Sequence, residues 1–322
     1  MLKNYFILFV RNLSRQKSFS LINLLGLTSG IAITLVIFLY VRNDFSHDRF
    51  HPYADRIYRV NQTSIWGEHE DRQLARTAPG VANALKAELP EVEMITSIHT
   101  PGNFLVSYLN ASKEIIAYDQ ENILAADSNF FKMFSFHVVK GNPETCLLQP
   151  QSIVITEPTA KKYFGPEEPL GKLVQIGTGE NSRAFEVTAV VKDISDNSYI
   201  DFDMLMSMTS FSKVKENSWS WLWTQLETFI LLDKHSDIEN TRRKLDKIPR
   251  KYAESSLQSS MNLSFDDYLK KGKSWELFLQ PFTQIHLHSD NVDGNFNTVG
   301  NSKIVYTLAG AAIFIILLSC IN

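Results

Sequence analysis

Two cysteines among 322 residues exclude a fold held together by disulfides. Cys146 lies in the polar body of the chain and Cys320 in an apolar run near its end, so the two belong to different surroundings. Long runs of one charge and low-complexity tracts are absent too, which leaves a nucleic-acid partner without support. A phosphate-cradling G-x-x-x-x-G-K-[ST] loop is also missing. The nearest stretch, Gly165 to Gly171-Lys172-Leu173, has five intervening residues and a leucine where a Mg²⁺-binding hydroxyl belongs. It reads as a turn after a helix. No Ser-His-Asp or Cys-His arrangement emerges from spacing, so the sequence assigns no catalytic, cofactor-binding or metal residue, no cofactor and no enzymatic activity. The last absence is acidic: no Asp or Glu precedes Asp44.

Two uncharged apolar segments are present instead. Ser18–Val41, bounded by Lys17 and Arg42, would span roughly 36 Å as a helix, against a hydrocarbon core of roughly 30 Å. Ile304–Asn322 would span roughly 28 Å. Lys3, Arg11, Arg15 and Lys17 precede the first segment, and by the positive-inside rule they put that end in the cytoplasm. Residues 42–303 then lie outside, with 28 Lys and Arg against 35 Asp and Glu, a net charge of −7. A cleavable signal peptide fits less well: its apolar core runs about 7–15 residues before a small-x-small site. Here the run is longer and exits into Tyr40-Val-Arg-Asn-Asp44. Leu2, Phe6, Phe9, Val10 and Leu13 recur at helical spacing among the cations, so residues 1–17 fit an interfacial amphipathic helix or a plain charged flank.

The outer region reads as two β-α-β units around a β-rich middle. The first unit takes a strand at Arg56–Thr63, a helix opened by Thr77 and Pro79 and ended at Pro90, and a strand at Met94–His99. The second takes a strand at Thr224–Leu232, a helix with Ser236 and Glu239 as capping box, ended or kinked at Pro249, and a strand at Trp275–Phe282. Two such units can share a mixed sheet with helices on one face. Between them come short strands at Phe104–Tyr108, Glu114–Tyr118, Leu173–Ile176 and Phe185–Val191, the last with Phe185, Val187, Ala189 and Val191 on one face. One helix interrupts them, with Thr156 as cap, Pro158 in its first turn and Gly165 as its stop. The expected class is α+β: a β-α-β lobe with an inserted β-rich lobe at about 103–200, flanked by transmembrane helices at 18–41 and 304–322.

Particular stretches of this region resemble the periplasmic core domain of MacB/FtsX-type ABC-transporter permeases. They are Phe45-Ser-His-Asp-Arg-Phe-His51 with Ala54-Asp-Arg-Ile-Tyr-Arg-Val60, and Phe130-Phe-Lys-Met-Phe-Ser-Phe136 with Gly141. Val154-Ile-Thr-Glu-Pro-Thr-Ala-Lys-Lys-Tyr-Phe-Gly165 with Leu170-Gly-Lys172, Val187–Asp193 and Gln280–His288 add to the match. The resemblance implies a permease subunit in the bacterial inner membrane, paired in a homo- or hetero-dimer. It also implies a porter-like lobe as the frame of the outer fold and a separate or fused cytoplasmic ATPase as partner, with the lipid bilayer around the spans, and it allows a periplasmic adaptor. Family permeases continue into further spans, whereas this sequence stops at Asn322, so it is expected to be a fragment carrying the N-terminal part of the permease. A two-span sensor with an outer ligand-binding domain is the alternative reading.

A few side chains offer chemistry beside a plainer reading. His286 and His288, on an expected strand with Asp290 and Asp293 nearby, allow a metal site, against a solvated strand edge. Asp290-Asn-Val-Asp-Gly294 fails the calcium-loop pattern at Val292. Trp219, Trp221 and Trp223 share a face if extended, as a partner-binding or membrane-interface patch or as aromatic packing between lobes. Asp201 and Asp203 alternate as paired carboxylates without a visible partner base or nucleophile.

Overall fold

The computed structural model describes residues 17–63 and 72–321. All of the 1–17 segment except Lys17 lies outside the described residues. Contacts divide the chain into two units, 1–46 with 300–322 and 47–299.

In the first unit, helix α1 (Lys17–Phe45) pairs with the chain's last helix, Ser302–Ile321. Both are long and apolar enough to cross a membrane, and most of their leucines and isoleucines face outward. With no hydrophobic drive between helices in lipid, close approach of small residues must hold such a pair. Gly30 supplies it: a Cβ there would lie 1.8 Å from Ser319 Oγ. Thr34 Oγ1 donates to Ala312 O at 3.4 Å.

The second unit is built on one fourteen-stranded sheet. Its elements in chain order are β1 (Ile57–Thr63), β2 (Gln73–Leu74), α2 (Pro79–Glu88), β3 (Val92–His99), β4 (Phe104–Leu109), β5 (Ile115–Gln120), β6 (Ile123–Ala126) and α3 (Phe130–Met133). There follow β7 (Val138–Gly141), β8 (Ser152–Thr156), α4 (Glu157–Phe164), β9 (Leu173–Ile176), β10 (Arg183–Val191), β11 (Met204–Ser207), α5 (Ser212–Glu216) and β12 (Leu226–Leu232). The unit closes with α6 (Ile238–Leu245), α7 (Ile248–Tyr252), α8 (Glu254–Met261), α9 (Phe265–Lys270), β13 (Leu277–Pro281) and β14 (Val292–Asp293), and Ser302–Ile321 is α10. Sheet order is β14-β2-β1-β12-β3-β6-β11-β8-β10-β9-β4-β5, with β13 on β1 and β7 on β10.

The two expected β-α-β units are present and interleaved. β12 lies between β1 and β3, the strands of the first unit, and is antiparallel to both. In turn β1 lies between β13 and β12, the strands of the second. A central strand alternates faces, so β1 feeds two cores. Val60 joins Leu85 of α2, Leu245, Leu257, Trp221 and Trp275 on the helix-covered face. Ile57 joins Phe130, Phe134, Phe229 and Phe282 on the other face. A third core, with Val106, Ile153, Phe164, Phe185 and Met206, lies within the β-rich stretch.

The structure corrects several local readings. Asp237, not Ser236, caps α6: its carboxylate accepts from Glu239 N at 3.0 Å. Pro249 starts α7, where a missing N–H costs nothing, rather than closing α6. Thr77 caps no helix; it bridges to Leu226, and its hydroxyl lies 2.8 Å from that of Thr228.

The four residues of β10 do not share a face either. Phe185 and Val187 enter the third core, whereas Ala189 and Val191 enter the first. Against β8, Val187 pairs with Ile153 and Ala189 with Val154, so Thr188 is an extra residue. One inserted residue turns every later side chain to the opposite side of the sheet. The Thr188 hydroxyl donates to Cys146 O at 2.8 Å, which fixes the bulge.

Gly141 of β7 makes room for it. Its φ is +90°, and a Cβ would lie 2.4 Å from Thr188 O and 2.8 Å from Ala189 Cα. Gly141→Ala should therefore cost about 2–4 kcal/mol. Thermal unfolding of the purified variant checks this; an unchanged midpoint contradicts the account.

Candidate functional site

Strands β1, β12 and β13 lay polar residues on a face where an all-apolar core would be expected. Arg59, in the middle of β1, is fully buried. A guanidinium in that position needs its five N–H groups satisfied from all sides. Its Nε donates to Asn61 Oδ1 at 2.9 Å, and its Nη2 to Gln280 Oε1 at 2.8 Å. Its Nη1 reaches Tyr199 OH at 2.8 Å, Asn295 Oδ1 at 2.7 Å and Glu227 Oε2 at 3.2 Å. Glu227, on β12, is equally enclosed and accepts from Phe296 N at 2.8 Å and Tyr199 OH at 2.9 Å. Burial pushes its carboxyl upward against the pull of Arg59. Burial, with Glu227 beside it, raises the Tyr199 phenol well above its ordinary range.

This network gathers three strands and two loops, the 195–203 loop and the segment after β14. Ser289 Oγ joins it, accepting from Gln280 Nε2 at 3.0 Å, and the chemistry of the whole network is that of a tether. Sequence reasoning missed it, although Arg59 and Asn61 interrupt the apolar alternation of β1, and Glu227 does the same beside Leu226.

Next to the tether lies the turn that leads into β1. Asp48 is fully buried with φ +60°. Its Oδ1 accepts from Tyr199 N at 2.8 Å, while among the described residues its Oδ2 has no hydrogen-bond partner. Burial raises its pKa to about 7. His51 is buried among Phe50, Phe134, Phe136 and Phe282, with ring centroids between 4.1 and 5.7 Å away. Neither ring nitrogen finds a partner among the described residues, and burial lowers its pKa to about 4.

His47 stacks on His286, with ring centroids 3.4 Å apart and planes 4° from parallel. The pair borders a cavity of about 290 Å³ with Asp196, Ser198, Asp201 and Asn297. Asp201 accepts from Asn122 Nδ2 at 3.0 Å; burial, with Asp193 and Asp196 nearby, raises its pKa.

The side chains singled out from the sequence are dispersed. His286 and His288 lie in a turn after β13, not on a strand, because the 3-10 turn at Phe282–Gln284 ends the extended run. His288 borders a separate cavity of about 410 Å³ with Arg242 and Asp246, and Asp293 pairs with Arg72 at 2.5 Å. Among the described residues these two histidines, Asp290 and Asp293 do not converge within ligating distance. The tryptophans sit in a turn and point three ways. Trp219 is 54% exposed, Trp221 stacks on Tyr252 in the helix-side core, and Trp223 packs against His99. Asp203 accepts from Gln120 Nε2, and burial, with the Asp201 carboxylate close by, raises its pKa. Gly165 ends α4 with φ +58°, as a turn glycine should.

A family model described as the MacB-like periplasmic core domain matches residues 20–248, more than half of the chain. The chain belongs to that family, the periplasmic domain of ABC-transporter permeases. Among solved structures it is similar to a domain assigned to a permease of Porphyromonas gingivalis, at 21% identity and a TM-score of 0.59, covering 80% of this chain and 98% of that one. The periplasmic region of MacB from Actinobacillus actinomycetemcomitans aligns at 16% identity and 0.46, over 72% and 92%. The extracellular domain of the ABC-type transporter YknZ from Gram-positive bacteria aligns at 12% and 0.43, over 70% and 99%. The first of these supports the fold. No curated protein matches the chain.

Arg59→Met should cost about 3–5 kcal/mol, because it leaves Glu227 buried and uncompensated. Arg59→Met with Glu227→Leu should recover part of that, as denaturant unfolding would read.

In the turn, two titrations oppose each other. His51 takes a proton more readily unfolded, from its usual 6.5, than folded at about 4; its share of stability is whole above 6.5 and drains as pH falls to 4, by roughly 3 kcal/mol. Asp48 holds its proton better folded, so its share is whole below 3.8 and is lost as pH rises through 7. His51→Phe should leave a melting temperature that falls steadily from pH 4 to 7, and Asp48→Asn one that rises from pH 4 to 6.5. Parallel profiles for both variants would contradict the assignment.

Proposed function

We propose that this chain is a permease subunit of an ABC transporter in the bacterial inner membrane. In this reading its N-terminus is cytoplasmic, α1 and α10 cross the bilayer, and residues 42–303 form the periplasmic domain, with the stretch at about 103–200 as the β-rich lobe. The family match over residues 20–248 carries the reading, and the two apolar helices that flank the domain support it. A separate cytoplasmic ATPase would supply the energy, and a second permease chain would complete the translocation unit. The domain would work by changing position, with no residue forming a covalent bond to cargo. Motion would enter and leave through the segments 42–50 and 301–303, and a periplasmic adaptor would receive it, for export or extrusion.

Affinity purification of the natural protein from membranes in mild detergent should bring an ABC ATPase with it, detectable by mass spectrometry. Gly300→Pro should leave that complex intact but abolish ATP-dependent transport in the assembled system. Failure to recover any ATPase under conditions that keep the chain folded would refute the reading.

A further inference from the structure

Strand β13 has an open side, and a cavity runs along it. Among the described residues β13 pairs only with β1. Every residue from Leu277 to Pro281 lines the cavity of about 410 Å³ that His288 borders. Its walls come from both faces of the sheet. Arg242 and Asp246 belong to α6, whose Leu245 packs with Leu277 and Leu279 on the helix-covered face. Gln284, His288 and Asn291 belong to the turn on the polar face, where Gln280 Nε2 donates to His288 O at 3.0 Å.

The hydrogen-bond phase of β13 decides what this cavity can hold. Thr63 N donates to Glu276 O at 3.0 Å. Antiparallel ladders alternate, so Phe278 and Gln280 direct their backbone groups to β1, and Leu277 and Leu279 direct theirs into the cavity. Pro281, with no N–H to give, falls in the outward phase, as an edge proline should. Leu277 and Leu279 are only 3% and 6% exposed, yet among the described residues no hydrogen bond reaches their N–H or C=O groups. Enclosed backbone groups are almost always paired. Two donors and two acceptors, repeating at roughly 6.8 Å along an edge, match the backbone of one more strand.

The walls narrow the choice of strand. A second copy joined edge to edge by a two-fold axis would carry its own α6 to the same face of the seam, where the first already stands. A single extended segment brings no such helix. Arg242 and Asp246, four residues apart, are separated by roughly 6 Å along the axis of α6. Every second residue of a strand is separated by roughly 6.8 Å. An acidic and a basic residue two apart on the segment would therefore face Arg242 and Asp246.

We propose that the cavity beside β13 takes an extended peptide segment of another protein, added to the sheet as an antiparallel strand with alternate acidic and basic residues toward α6. The inference rests on the fold of residues 47–299 and stands apart from the permease reading.

The test titrates the full chain in detergent against a fluorescein-labelled peptide, Thr-Glu-Val-Lys-Val-Glu-Thr, whose palindromic order serves either strand direction. Anisotropy should report saturable binding. Gln284→Trp, which fills the cavity from an exposed position in the turn, should weaken it at least tenfold with the unfolding temperature unchanged. Arg242→Glu should weaken it about threefold to tenfold. Ile115→Lys, on β5 at the other end of the sheet, should leave it as it was. In an antiparallel ladder the peptide residues that face α6 are those that bond to Leu277 and Leu279. Backbone N-methylation of the lysine and both glutamates should therefore abolish binding, and N-methylation of the two valines should not. Absence of binding, or methylation that acts alike at both sets, overturns the proposal. Binding lost in Ile115→Lys but kept in Gln284→Trp overturns it in favour of the β5 edge, and a chain dimer that Gln284→Trp dissociates overturns it in favour of a second copy.

Discussion

A cation and an anion sealed inside the sheet set the terms for the rest of the outer domain. Arg59 and Glu227 are both enclosed, so neither can lose its partner without a large desolvation cost. Replacing them jointly with apolar groups would be milder, and stability alone does not account for an ion pair in such a place. What the pair adds is direction. A guanidinium with fixed donors accepts partners only at set positions, and those positions belong to β13, the 195–203 loop and the segment that ends in Phe296. The polar face of β1 thereby specifies which loops lie over it, whereas greasy packing would tolerate several arrangements.

The larger architecture was legible in the sequence because it rests on long, regular signals. Continuous apolar runs identify α1 and α10, and strand-helix-strand patterns identify both β-α-β units. Their interleaving was not legible, since nothing local in β1 says that β12 will pair with it before β3 does. Among the finer readings, failures share a physical origin. Ser236 and Asp237 are both good caps, and one residue of phase decides between them. A bulge at Thr188 reverses a pattern that is perfectly regular on paper. The histidines after Pro281 alternate in sequence but not in space, because a 3-10 turn changes the period.

The candidate site was the least visible part. Searching for catalysis or metal ligation favours clustered histidines and carboxylates, and those at 286–293 are dispersed in space. The residues that do converge, Arg59, Tyr199, Glu227, Gln280 and Asn295, are far apart in sequence and each looks ordinary alone. Only polar interruption of a buried strand marks them. Likewise Asp48 and His51 look like surface polar residues in a charged turn, and burial alone reveals that one is pressed toward its neutral acid and the other toward its neutral base.

One further consequence follows from how β1 and β13 are paired. They run antiparallel, with Tyr58 opposite Pro281, so the start of β1 and the end of β13 lie at the same end of one ladder, before the chain returns to the sheet at β14. Tension drawing those points apart would peel the ladder rung by rung from that end, the weakest way to load antiparallel strands. Arg59 sits at the second rung, gripping both Gln280 and Asn295. It therefore acts like a rivet beside the open end of a zip, tying β13 and the segment after β14 to β1 at the rung where peeling would begin.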